Sequence, residues 1–208
     1  MEQVINFLLG DFDTISYHAG PNIIQIVLVI GLTVFIFKSR KSTVVEGRKK
    51  MILSLVTSIY LIALFSVTLF PLRVLSVESI QKLIDSKALL IPDDYLMLMP
   101  FGEIFQVITD FDWRYLIIQV IGNILLFIPF PILLAMLNEK LTFQKILLKG
   151  FLLTVSIELI QLVINFVLIY PNRVASIDDV ILNLLGVLLG YQIWKLMKNV
   201  GKRALSRI

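Results

Sequence analysis

Five apolar stretches, at residues 21–37, 51–70, 115–137, 146–170 and 179–197, each run long enough to cross a lipid bilayer. A hydrocarbon core of about 30 Å takes about 20 helical residues to traverse, so the first stretch reaches across with little to spare. Hydrophobic residues make up 58% of the chain and its mean hydropathy is +0.90, against about 45–50% apolar residues in a soluble domain. Water is not the main solvent. The 208 residues read as a single all-α membrane domain, 1–208, polytopic and with about five transmembrane helices. Prolines punctuate it: Pro21 suits a first helical turn, Pro71 closes the second span, and Pro171-Asn172 closes the fourth.

Charge orients the chain. Of its nineteen Lys and Arg residues, fourteen fall in 38–50, around Lys140, Lys145 and Lys149, or from Lys195 onward. Alternate connections hold only Arg73, Lys82, Lys87, Arg114 and Arg173. The positive-inside rule then puts the N-terminus outside and the C-terminus in the cytoplasm, and it accounts for the net charge of +4 without nucleic acid as a partner. Residues 1–10 carry Glu2 but no Lys or Arg, unlike the start of a secretory signal peptide, so the first span is expected to stay attached. The chain has no cysteine, which excludes disulfides, thiolate chemistry and cysteine-ligated metals. The outer connection at 71–114 is too long for a plain turn. Val77, Ile80, Leu83 and Ile84 predict a short amphipathic helix in it, and the apolar stretch 96–108, broken by Pro100 and Gly102, predicts an interfacial or re-entrant segment. Residues 4–12 are expected on the outer surface.

The most informative residues are those a bilayer should reject. An ionised side chain at a helix centre costs about 2.5–3.5 kcal/mol, and Glu158 lies about twelve residues into the fourth span, near mid-membrane. At about 100° per residue, Thr154, Glu158, Gln161 and Asn165 line up in one polar stripe. Asp179, Asn183, Gly186 and Gly190 form another on the fifth span, and Gln119, Gly122 and Asn123 share a face of the third. Turning these faces together gives one inward-facing cluster, the cheapest arrangement in lipid.

Two explanations compete for each residue. Asn123, Gln161 and Asn183 fit interhelical hydrogen-bonding as well as ligand binding, and Gly186-x-x-x-Gly190 fits close helix packing. Ser176-x-x-Asp179 fits a capping box at the start of the fifth span. Glu158 is harder to read as packing, since Gln would meet a simple hydrogen-bonding need; a buried carboxyl can donate a hydrogen bond, act as acid or base, or carry a proton. Glu158 and Asp179 are therefore the candidates for acid–base chemistry. Arg173, in the outer loop, is placed to pair with Asp178, Asp179 or an anionic ligand such as a phosphate or carboxylate, or to be solvated by headgroups. His18, the single histidine, lies outside these spans and reads as an interface residue. There is no zinc motif or glycine-rich phosphate loop, and neither a metal nor a cofactor is expected.

The run Gly122-Asn123-Ile124-Leu125-Leu126-Phe127-Ile128-Pro129-Phe130, then Glu158-x-x-Gln161, then Arg173 through Asp178-Asp179 and Asn183 to Gly186 and Gly190, resembles the VanZ-like family of bacterial membrane proteins. Met99-Pro100-Phe101 is similar to that family's Pro-Phe segment in the long outer loop, and the likeness covers a core of residues 60–195. Three positions depart from the pattern: Pro131 where glycine commonly follows the Pro-x motif, Met97 where asparagine often precedes Pro-Phe, and Ser176 where an acidic residue is frequent. The resemblance implies a multi-pass protein of the bacterial cytoplasmic membrane, associated in its best-known members with low-level resistance to the glycopeptide teicoplanin. It implies no settled reaction and no fixed cofactor.

Three functions are compatible with these residues. The first is binding of an anionic lipid-linked envelope component, such as a cell-wall precursor, or of a lipidated glycopeptide, at Asn123, Glu158, Gln161, Arg173, Asp178, Asp179 and Asn183, with membrane lipids as further partners. The second is an enzyme acting on a lipid-linked substrate. The third is a proton-coupled lipid transporter, against which the absence of an internal repeat weighs. A scaffold held together by its polar residues is the plainer alternative.

Overall fold

The computed structural model describes residues 14–17, 44–70, 72–85, 95–109, 117–168 and 172–205. The expected span at 21–37, the surface stretch at 4–12 and His18 lie outside the described residues. Four helices within them are long and apolar enough to cross a membrane, at Gly47–Leu69, Gln119–Leu137, Phe143–Leu168 and Ile177–Val200. They match the second to fifth spans expected from hydropathy.

The first of these belongs to α1, Val44–Leu69, which begins in the basic segment before the membrane. The next is compound. A π-helical turn, Ile117–Ile121, leads into α4, Gly122–Phe127, and a bend at Ile128 separates it from α5, Pro129–Leu137. Pro129 and Pro131 cause the break, because neither has an N–H to return to the preceding turn. The opened turn gains a partner from outside: the Tyr60 hydroxyl on α1 donates to the Leu126 carbonyl at 2.9 Å.

The remaining spans are α6, Phe143–Leu168, and α7, Ile177–Leu205. The middle of α7 packs between α6 and the kinked pair α4–α5. Gly186 and Gly190 make this approach close enough that a Cβ on either would run into backbone, the carbonyl oxygen of Ile124 or of Ile128. On the other side, a Cβ at Gly150 of α6 would stand 2.8 Å from a methyl of Val187. Leu64, Phe127, Ile146, Ile157 and Val187 form the buried core around this crossing. The small residues thus set helix spacing, which in lipid depends on van der Waals contact more than on hydrophobic burial.

Short elements complete the fold. β1, Thr14–Tyr17, pairs antiparallel with β2, Leu72–Leu75, just after α1. The amphipathic helix α2, Val77–Asp85, follows with Ser76 as its cap, the Ser76 hydroxyl accepting from the Ser79 N–H at 3.2 Å. β3, Leu96–Met97, runs parallel to β4, Ala175–Ser176, immediately before α7. The turn after β3 leads into α3, Gly102–Thr109, against the start of α7. Both ladders are absent from the all-α reading of the sequence. They are too short to stand out from an apolar background.

The position of β3 decides how the stretch 96–108 is placed. It pairs with backbone that itself lies against Glu158, and the ring of buried Tyr95 sits 5.2 Å from that of Phe166 on α6. The segment is therefore anchored to the helical bundle at its start, through Tyr95 and β3, while Leu98, Met99, Phe101, Phe105 and Ile108 stay exposed.

Candidate functional site

Helices α6 and α7 are antiparallel, but α7 starts low. Asn183 on α7 meets Thr154 on α6, and Ser176, one residue before α7, meets Glu158. Glu158 is ten residues short of the end of α6 at Leu168, so α7 begins about 15 Å below that end at about 1.5 Å rise per residue. Glu158 itself lies beyond the middle of α6, because the helix starts at Phe143 and not at 146. The chain from residue 172 to Ser176 must then descend beside α6 with non-helical backbone. At such depth its N–H and C=O groups need partners in the protein.

The polar stripe of α6 supplies them. Asn165, fully buried, accepts from the N–H of Asn172 at 2.9 Å and of Arg173 at 3.5 Å, and its amide donates to the Arg173 carbonyl. One turn lower, Gln161 donates to the carbonyl of Thr68 at 2.9 Å, tying off the end of α1. Glu158, 8% exposed, accepts from the Ser176 N–H at 2.9 Å. Lowest, the Asn183 amide donates to the Thr154 hydroxyl at 2.8 Å. The sequence stripe is real: Asn165 and Glu158 hold the descending chain, Gln161 the end of α1, and Thr154 the helix α7.

This arrangement completes the start of α7 in an unusual way. Ser176 is the cap, its hydroxyl accepting from the Asp178 N–H at 3.2 Å. In a capping box the carboxylate three residues on would return to the N–H of Ser176. Here Glu158 of another helix takes that N–H, and Asp179 turns elsewhere. Its Oδ1 accepts from the Gln119 amide at 2.7 Å and from the Asn123 amide at 2.6 Å, joining α7 to the π-turn and α4. Asp178, 1% exposed, accepts from the backbone N–H of Phe101. Both acidic residues lie in the first turn of α7, where the helix dipole favours negative charge.

The Pro-Phe segment is thereby docked. Phe101 has φ of 62°, the left-handed region that costs a non-glycine residue about 1 kcal/mol or more, and its N–H is held by Asp178 while its carbonyl opens α3. Oδ1 of Asp178 is engaged in this contact. Arg173 stands apart from both acids. Its backbone is clamped by Asn165, its side chain is exposed, and among the described residues its guanidinium forms no ion pair. The pairing of Arg173 with Asp178 or Asp179, one of the arrangements open to the sequence, is not the one adopted.

The seven candidate residues thus divide. Asn123 and Asp179 meet directly, with Gln119 as a third member. Glu158, Gln161 and Asn183 sit on or against the α6 stripe, Asp178 holds Phe101, and Arg173 is at the rim. The single inward-facing cluster expected from helical periodicity resolves into these groups. Thr154, Gln119 and Asn165 belong with them, and their places on the same stripes were the signal for them. Among the described residues no group of three His, Asp or Glu side chains is placed to hold a metal ion.

The acceptor role of Glu158 makes a prediction. Glu158→Leu leaves the buried Ser176 N–H without its acceptor and is expected to destabilise the protein by about 1–3 kcal/mol. Glu158→Gln keeps a side-chain oxygen and should cost clearly less, as read by thermal unfolding of the detergent-purified protein. Equal losses in the two variants would mean that the negative charge, and not the acceptor, is what the site requires.

Four apolar spans, packed through glycine and with a final helix starting beside the middle of its neighbour, define a polytopic α-helical membrane protein of the kind in which irregular backbone is sheltered by side chains. The family model described as VanZ/LLP1 matches residues 57–198, and the chain belongs to the VanZ/LLP1 family. It is accordingly a VanZ-like, multi-pass protein of the bacterial cytoplasmic membrane. Comparison with curated proteins and with solved structures gives no match.

Proposed function

We propose that the protein binds an anionic, lipid-tailed envelope molecule at the outer end of the α6–α7 pair, either a lipid-linked cell-wall component or a lipidated glycopeptide, and so contributes to low-level teicoplanin resistance. The observation that carries this reading is Arg173. Its peptide groups are held on both sides by Asn165, while its guanidinium projects from the rim without a carboxylate partner among the described residues. An exposed guanidinium on an anchored backbone offers a planar fork to phosphate or carboxylate. The crevice behind it, between Thr68, Gln161 and Asn165, is about 10 Å3, so an anionic group would engage Arg173 from outside and leave its tail in the lipid. Acid or base chemistry at Glu158 or Asp179 has less support, because the oxygens seen in contact serve Ser176, Gln119 and Asn123.

The test is susceptibility in a strain carrying only the variant gene, with membrane levels matched. Arg173→Ala is expected to abolish protection against teicoplanin, and Arg173→Lys to restore part of it. Loss of one charge-assisted contact corresponds to about a tenfold or greater drop in affinity. Unchanged teicoplanin sensitivity in a well-inserted Arg173→Ala protein would refute the proposal.

A further inference from the structure

At the end of the bundle opposite Arg173, α1, α5 and α7 flank an open groove of about 640 Å3. Its walls are apolar and exposed: Ile52 and Val56 on α1, Met136 on α5 and Met197 on α7 are each 44–57% exposed. Its rim is charged. Lys49 and Lys50 stand on the α1 side, and facing them are Lys198 and Glu139, paired at 2.8 Å, with the Lys198 ammonium 5.0 Å from the ring centre of Trp194. Three lysines and one glutamate give the rim a formal charge of +2. The basic segments concentrate at this end, which the positive-inside rule puts at the cytoplasmic leaflet, where anionic lipids gather.

We infer that this groove is a binding site for an anionic phospholipid of the inner leaflet, its phosphate at Lys49 and Lys50 and an acyl chain along Ile52, Val56, Met136 and Met197. Apolar walls continuous with a cationic rim complement a molecule with an apolar tail and one negative headgroup. The other occupants fit less well. A second copy of the chain would bring two +2 rims together. Residues 21–37 contain no Asp or Glu, and the chain after them adds Lys38, Arg40 and Lys41, so that segment would add to the positive charge without neutralising it. The Lys198–Glu139 pair closes one side of the mouth and holds Trp194 against it, which places an indole reporter on the site.

The chain has two tryptophans, so Trp113→Phe leaves Trp194 as the only one. This protein, reconstituted in phosphatidylcholine vesicles, is titrated with dibrominated phosphatidylglycerol or dibrominated phosphatidylcholine, whose bromines quench indole emission at contact. The anionic lipid is expected to compete for the site about three- to tenfold better, since each lysine near the surface favours it substantially. Lys49→Gln/Lys50→Gln should bring the two lipids to parity. Should that variant insert poorly, raising salt from 0.1 to 1 M on the lysine-intact protein shortens the screening length from about 10 to about 3 Å and should shrink the preference. Equal quenching by the two lipids, or a preference untouched by both the substitutions and salt, overturns the proposal. Weak quenching by both also overturns it, because the groove is then filled by another segment or another copy.

Discussion

Gly190→Ala is expected to destabilise the protein although alanine is the better helix former. In a helix interior the exchange gains about 1 kcal/mol from propensity. At Gly190, however, the new Cβ would fall on the carbonyl oxygen of Ile128 and on the ring of Pro131, and neither is the flexible tip of a side chain. Relief requires α7 to move away from α4–α5, which breaks contact around Phe127 and Val187, and overpacking of this kind costs about 1–3 kcal/mol or more. The clash wins. Gly47, in α1, has nothing within 4 Å of a new Cβ, so Gly47→Ala is the control and should be neutral or stabilising. Thermal unfolding of purified protein, followed by loss of the monodisperse peak, reads both. A Gly190→Ala protein as stable as the parent would show that the helices are not in the contact described.

Asn165→Leu is expected to be at least as damaging, for a different reason. Leucine preserves volume but removes an acceptor from two backbone N–H groups and a donor from one carbonyl, all in chain descending beside α6. Each buried group left alone costs about 1–3 kcal/mol, and because this loop reaches water at its upper end, the total should be about 2–4 kcal/mol. Asn165→Asp keeps an acceptor for both N–H groups but sets a buried carboxyl against the Arg173 carbonyl, so it too should cost stability. The functional consequence is separable: Asn165 holds the Arg173 backbone, so on the proposed function a folded Asn165→Asp protein should lose teicoplanin protection in proportion to the mobility of Arg173, measured by hydrogen exchange at the Arg173 amide. Protection at the parental level with a loosened Arg173 amide would break that link.

Hydropathy alone located the four described spans, but it underestimated their helices. It tracks the lipid and not the hydrogen-bond ladder, so α1 extends back to Val44 and α7 on to Leu205 through residues too polar to count as membrane. Periodicity was equally reliable about direction: Thr154, Glu158, Gln161 and Asn165 do share one face. What it could not reveal is what stands opposite that face. Most of the partners are backbone groups, at Thr68, Asn172, Arg173 and Ser176, and no side-chain pattern encodes the height at which a loop turns. For the same reason Ser176-x-x-Asp179 was legible as a cap, whereas the substitution of Glu158 for the expected return bond was not. The glycine pair, read as close packing, was understood for what it does, and Pro129 and Pro131 explain why the surface it meets is backbone.

The depth of the α7 start also bears on how the chain is made. Translation completes α6 before residues 172–176, so α6 emerges from the ribosome bearing Glu158 and Asn165 while the backbone that will satisfy them is still to come. Lipid is a poor waiting place for that helix. The economical route is for α6 to remain at the protein-lined, hydrated wall of the insertion machinery until Ser176 has passed, and for the two helices to leave as a hairpin with these hydrogen bonds already made. The order of synthesis and the hydrogen bonds would then act as one assembly step.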